Sequence, residues 1–101
     1  MSTDVDVVID EKIKREVKEP SNYNVIMLND DATPIDWVMG ILKEIFRHSD
    51  ADAEALTMKI HNDNSAVVGT YRHEIAEQKG TEATNASRNQ GFPLQLKVEE
   101  E

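Results

Sequence analysis

An amide and two carboxylates stand side by side at Asn29-Asp30-Asp31, and a hydroxyl follows at Thr33. They fall between an apolar run ending at Leu28 and the helix-opening signal Thr33-Pro34-Ile35-Asp36. Carboxylates beside the free amides of a helix start are held as anions, which suits the capture of a cation or a strong donor. An Asx turn that merely closes the loop and helps cap the helix is the plainer alternative. Calcium fails on spacing: Asp30 and Asp31 are adjacent rather than alternating, and the series Asp50-Asp52-Glu54 has Ala55 where an EF-hand loop needs Gly and His61 where it needs a bidentate Glu. Zinc fails as well, because His48, His61 and His73 are far apart, none sits in an HExxH pair, and the chain has no cysteine. No metal and no cofactor are therefore expected. At helical spacing Thr57, Ile60 and His61 share one face, which puts an imidazole beside an apolar side chain at the carbonyl end of a helix, an end that attracts cations. A satisfied, partly buried histidine is the alternative there. His48, beside Arg47 at a helix end, and His73, at a helix start, are expected to be plain surface. No Gly-rich phosphate loop, no GxSxG and no nucleophile with a neighbouring base is present, and Ser49, Ser65 and Ser87 have turn or helix contexts.

The elements that would position these groups follow from periodicity. Tyr23-Asn24-Val25-Ile26-Met27-Leu28 is short, rich in strand formers and apolar on both alternating faces, the pattern of an inner strand covered on two sides. A helix is expected to start at Pro34, capped by the Thr33 hydroxyl, with Ile35, Val38, Met39, Leu42, Ile45 and Phe46 as its apolar stripe. Trp37 falls outside that stripe and is either a contact residue or an extension of the core. A second helix should begin after Ser49 or Asp50 and reach about Ile60 or His61. Asn62-Asp63-Asn64 marks a turn, and Ala66 to Tyr71 a second strand weakened by Gly69. From Arg72 to about Asn89 the small residues Ala76, Gly80, Ala83 and Ser87 recur at helical spacing, so this helix should lie close on a sheet. Phe92, Leu94, Leu96 and Val98 then alternate in a one-faced strand, with Pro93 near its start and Glu99 to Glu101 as a solvated acidic tail. The order βααβαβ predicts an α+β, two-layer domain.

Composition narrows the possible partners. The 101 residues allow one domain, and 39% apolar content implies a modest core. Eleven basic against twenty acidic side chains give a net charge of −9, a field that repels phosphate backbones and anionic membranes, so neither nucleic acid nor a membrane is an expected partner. Residues 1–19 carry six acids and four bases without an aromatic ring, and are expected to form a mobile N-terminal arm before a domain spanning 20–98. The start MSTDVDVVIDEK lacks the plan of a signal peptide, and the expected location is cytoplasmic.

Four separated motifs, YNVIMLNDDATPIDWV at 23–38, MKIH at 58–61, GTYRHEIAEQK at 69–79 and FPLQL at 92–96, occur in an order that resembles the ClpS family of ATP-dependent Clp protease adaptors. The resemblance runs from about Pro20 to Val98. It implies three helices on a three-stranded antiparallel sheet and a non-enzymatic monomer. That module would recognise N-degrons, proteins beginning with a bulky apolar residue such as Phe, Tyr, Trp or Leu. It would then deliver them to the N-terminal domain of a Clp-type AAA+ unfoldase. Position by position, it assigns Asn29, Asp30 and His61 to the substrate's free α-amino group and Asp31 and Thr33 to its first backbone groups. Ile35, Val38, Thr57, Ile60 and Leu94 would form the pocket wall, Glu74 and Lys79 the contact with the unfoldase, and residues 1–19 the extension needed for delivery. Family members commonly carry Met where this chain has Ile35 and Thr57. A stiffer and a smaller side chain at those positions imply an altered pocket and an altered ranking of first residues.

The chemistry of the residues agrees with that assignment. An α-amino group, with a pKa of about 8, is mainly a cation at neutral pH and needs acceptors, which a carboxylate, an amide oxygen and a neutral imidazole supply. Two other readings stay open. In one, the fold and the unfoldase contact persist with a degenerate pocket, and the chain modulates or competes at the protease. In the other, Asp30, Asp31 and His61 perform acid/base catalysis, though without a nucleophile or cofactor motif.

Overall fold

The computed structural model describes residues 21–101, so the expectation of a mobile arm over 1–19 lies outside the described residues. Strand β1 (Asn22–Leu28) is followed by helices α1 (Ile35–Glu44) and α2 (Asp50–Asp63), strand β2 (Ser65–Arg72), helix α3 (His73–Asn89) and strand β3 (Gln95–Glu100). The sheet is antiparallel in the order β2-β1-β3. The fold is the expected α+β one, with β1 innermost.

Only one face of β1 is covered. Val25 and Met27 are fully buried, whereas Asn24, Ile26 and Leu28 on the opposite face are half-exposed, which corrects the expectation of a strand covered on both sides. The expectation failed because Ile26 and Leu28 are apolar without having a layer to meet. Pairing between β1 and β2 shifts after Val25↔Gly69 to Ile26↔Val67, which leaves Val68 as the extra residue of a bulge. The Tyr71 ring lies across Gly69, and a Cβ there would overlap it. The glycine is thus a packing requirement rather than a weakness.

Helix α1 departs from expectation at both ends. Pro34 is its N-cap, its carbonyl accepting from the amides of Trp37 and Val38 at 3.1 Å each, and no side chain caps the helix. The Thr33 hydroxyl donates backwards to Asp30 instead. The helix ends at Glu44; Ile45 and Phe46 continue into the core beyond it, and Arg47 takes a left-handed φ of 64°. That turn lets the His48 amide reach the Leu42 carbonyl at 3.0 Å, and the His48 ring nitrogen Nε2 donate to the Val68 carbonyl at 2.6 Å. His48 is therefore half-buried and engaged, not plain surface. Lys79 donates from its ammonium to the Ile45 carbonyl at 2.7 Å, satisfying the carbonyl end of α1 with a cation.

Helix α2 starts as expected, the Ser49 hydroxyl accepting from the Asp52 amide at 3.1 Å, and runs two residues past His61 to a left-handed cap at Asn64. Along α3, Ala76, Gly80, Ala83 and Ser87 form the buried face. A Cβ on Gly80 would stand 3.7 Å from Val98, ordinary contact distance, so small residues let the helix lie close on the sheet. Trp37 extends the core. Its indole N–H donates to the Ser87 hydroxyl at 2.8 Å, Ser87 donates in turn to the Ala83 carbonyl at 2.8 Å, and the Phe92 ring meets the indole edge-on at 5.4 Å. Strand β3 starts three residues later than the alternation suggested, because a turn at Gln90 and Gly91 is followed by an unpaired stretch over Phe92 to Leu94. Gly91 has a φ of 80°, and Arg88 bridges the Phe92 and Leu94 carbonyls. At the other end the strand takes in Glu99 and Glu100, paired with Asn24 and Tyr23, so their exposed side chains sit on a laddered backbone rather than a free tail.

Candidate functional site

The loop after β1 organises itself around one carboxylate. Asp30 Oδ1 accepts from the amides of Ala32 at 2.8 Å and Thr33 at 2.7 Å, and its Oδ2 accepts from the Thr33 hydroxyl at 2.8 Å. Burial pushes the Asp30 carboxyl up. The Thr33 hydroxyl, the Thr33 and Ala32 amides and the Arg88 charge outweigh it, so the group titrates below the ordinary carboxylate value and is anionic at neutral pH. Closing the loop and holding a negative charge are thus one arrangement rather than alternatives.

A second tie sets the distance across the site. The Asn29 amide N–H donates to the Asn64 carbonyl at 2.9 Å, which fastens the end of β1 to the end of α2, where His61 stands in the last turn. Asn29, Asp30 and His61 thereby reach the rim of a single cavity of about 220 Å³. This is room for one large side chain, below the usual size of a small-molecule pocket. Asp31, Thr33 and Ile35 line its edge as well, and Val38, Thr57, Ile60 and Leu94 line its interior. All ten residues that the resemblance assigns to a substrate site are brought together. Met27 and Leu28 join them and were missed; the strand that carries them into Asn29 was the available signal.

The cavity differs from its surroundings in what it leaves unmet. Among the described residues, neither the Asn29 side-chain amide nor the His61 ring has a hydrogen-bond partner, and His61 is exposed rather than the satisfied core histidine of the plainer alternative. Ile35 begins the apolar stripe of α1 yet is 60% exposed at the mouth, which corrects its place in the core stripe. Thr57, though polar by type, is buried and donates its hydroxyl proton to the Ala53 carbonyl at 2.7 Å. Its only donor is used within its own helix, so it offers the cavity none.

Glu74 and Lys79 lie apart from the pocket. Glu74 is exposed in the first turn of α3, and Lys79 is half-buried with its ammonium on Ile45 and 5.5 Å from the centre of the Tyr71 ring. His73 is exposed, as expected, pairing with Glu77 at 3.4 Å and meeting the Tyr23 ring at a tilt of 50° with ring centres 4.5 Å apart. No three His, Asp or Glu side chains among the described residues form a group that could hold a metal ion. No helix among them is long and apolar enough to cross a membrane.

Comparison with known proteins gives one consistent answer. Residues 18–97 match the family model described as ATP-dependent Clp protease adaptor protein ClpS. The ClpS adapter protein of Treponema denticola is 48% identical over 81 residues, covering 80% of this chain and 80% of that protein. The ClpS of Helicobacter hepaticus is 42% identical over 84 residues, covering 83% and 85%. Among solved structures, Agrobacterium tumefaciens ClpS2 bound to L-phenylalaninamide superposes with a TM-score of 0.80 at 41% identity, over 82% of this chain and all of that one.

Proposed function

The chain belongs to the ClpS family of ATP-dependent Clp protease adaptors, and from that premise we propose that its cavity captures the free α-amino group and bulky apolar first side chain of N-degron proteins for delivery to a Clp-type unfoldase. The family consists of adaptors, not enzymes, which sets aside acid/base catalysis by Asp30, Asp31 and His61. One observation carries the reading: an apolar cavity sized for one side chain is rimmed by an anionic Asp30 and by the unpartnered Asn29 and His61. A substrate's α-ammonium is a cation with donors only, and these are the acceptors it needs. Phenylalaninamide, the ligand of the Agrobacterium relative, has a free amine next to an apolar ring and an amide in place of the next peptide bond.

Burying a first side chain contributes roughly 1.5 to 3 kcal/mol, and each hydrogen bond to the charged amine roughly 1.5 to 3 kcal/mol. After association costs, an affinity near the micromolar range, about −8 kcal/mol, is expected. Acetylating the amine removes the charge and strands the acceptors. Titrating labelled peptides that begin with Phe, Leu, Tyr or Trp against their acetylated forms tests the reading. Binding at about micromolar concentration that weakens at least about tenfold on acetylation supports it, and equal binding of the two forms contradicts it. Ile35 and Thr57 are the positions expected to reorder the preference among those four residues. The cavity is open rather than filled by the chain's own side chains, which favours substrate capture over a modulator with a degenerate pocket.

For delivery, Glu74 offers an exposed charge to the unfoldase's N-terminal domain. Lys79 would act there while also holding the end of α1. A Glu74→Lys variant is therefore the cleaner probe of that contact: it should lose unfoldase binding and keep peptide affinity. Deleting residues 1–19 should spare peptide affinity and impair degradation.

A further inference from the structure

A second concavity, of about 350 Å³, adjoins the pocket on the outer side of α1 and α2. Ile35, Thr57 and His61 line both cavities, and Met39, Glu54 and Met58 complete the second. One layer of side chains therefore separates them. Ile35 and Met58, 60% and 54% exposed, are the two most exposed large apolar side chains among the described residues, and both lie on this cleft. Their concentration at one place, continuous with the pocket, is what a contact surface shows and scattered exposed residues do not.

Resting on the pocket assignment above, we propose that this cleft receives the side chain of the third residue of the captured polypeptide and favours an unbranched or γ-branched apolar one, Met or Leu. The amine held at Asn29, Asp30 and His61 and the first side chain in the pocket fix the start of the chain, which must leave across the rim. In an extended strand the first and third side chains point to the same side, about 6.6 to 6.8 Å apart, and the second points away. Two cavities that share Ile35, Thr57 and His61 as a common wall are arranged to take two such side chains from one strand. Met39 and Met58 bring flexible, polarizable thioethers that fit themselves around apolar groups of varied shape. Glu54, exposed on the rim, and Asp31, exposed across the pocket, repel an acidic side chain at that position.

Peptides of the form Phe-Gly-Xaa, extended by a common neutral tail and titrated by fluorescence anisotropy, test this. With Leu as Xaa, binding should be about fivefold tighter than with Ala, as partial burial of one side chain allows, and an Asp should be weaker than Ala. Moving Leu to the second position with Ala third should lose the gain. In Met58→Ala, a change of an exposed residue outside the pocket, the Leu-to-Ala difference should fall below about twofold while the Phe-Gly-Ala peptide binds as before. Amine-dependent binding with no preference at the third position, a preference unaffected by Met58→Ala, or an equal gain from the second position would overturn this inference alone. Loss of amine dependence itself would overturn the pocket assignment and the inference with it.

Discussion

The seam between α1 and α3 and the rim of the pocket hold similar side chains and treat them in opposite ways. At the seam the polar groups that face inward have partners: the Trp37 N–H is on Ser87, Ser87 is on Ala83, and the Lys79 ammonium is on Ile45, while beside it the His48 ring is on Val68 of β2. At the rim the Asn29 side-chain amide and the His61 imidazole have none among the described residues, and Ile35 stands largely in solvent beside them. Buried polar groups are costly to leave unmet, so folding completes the seam. The rim is incomplete in a way that a ligand with a cationic head and an apolar body would complete. Asp30 belongs to both regimes, since its oxygens close the loop while its charge remains available at the rim.

The difference can be broken first at Asp30. Asp30→Asn keeps an oxygen for the Ala32 and Thr33 amides and removes the charge. It should weaken free-amine peptides by at least about tenfold, with a stability change under about 1 kcal/mol. Unchanged affinity would deny Asp30 its role at the amine. At the seam, Ser87→Ala should do the reverse: it strands the half-buried Trp37 donor, costing about 1 to 2 kcal/mol of stability in urea melts while leaving peptide affinity intact.

Acid sharpens the contrast further. The Asp30 pKa is depressed on folding, so its stabilising contribution is fully present above the ordinary carboxylate value of 3.8 and is lost only as pH falls through the lower folded value. Stability curves of the wild type and Asp30→Asn should accordingly differ above about pH 4 and converge below it. His61→Ala removes one acceptor from the rim and should weaken free-amine peptides about fivefold; unchanged affinity would count against the imidazole as an acceptor. The smallest expected effect is at Gly40 on α1, where a Cβ would meet nothing within 4 Å. Gly40→Ala should stabilise the fold by about 0.5 to 1 kcal/mol, seen as a higher melting temperature with unaltered binding.

Much of this was legible before any coordinates, and for identifiable reasons. The apolar period of α1, the Ser49 cap and the small face of α3 are local signals that packing did not override. The ten pocket residues were legible because the motifs that carry the resemblance include nearly all of them. What was not legible depends on partners distant in sequence. His48 has a surface residue's context but meets Val68, twenty positions on. Ile35 has a core residue's period but no layer above it. The β3 boundary moved because Arg88 and Gly91 build a turn that alternation at Phe92 and Leu94 cannot reveal. Met27 and Leu28 were assigned to the core and the strand, and only the loop tied to Asn64 shows that the strand end also lines the cavity.

The most direct measurement is a crystal structure of the protein with a peptide that begins with phenylalanine. The α-nitrogen should lie within hydrogen-bond distance of Asn29, Asp30 and His61, with the ring between Val38, Thr57, Ile60 and Leu94. A terminus bound elsewhere, or a ring left outside a closed cavity, would contradict the assignment of the pocket.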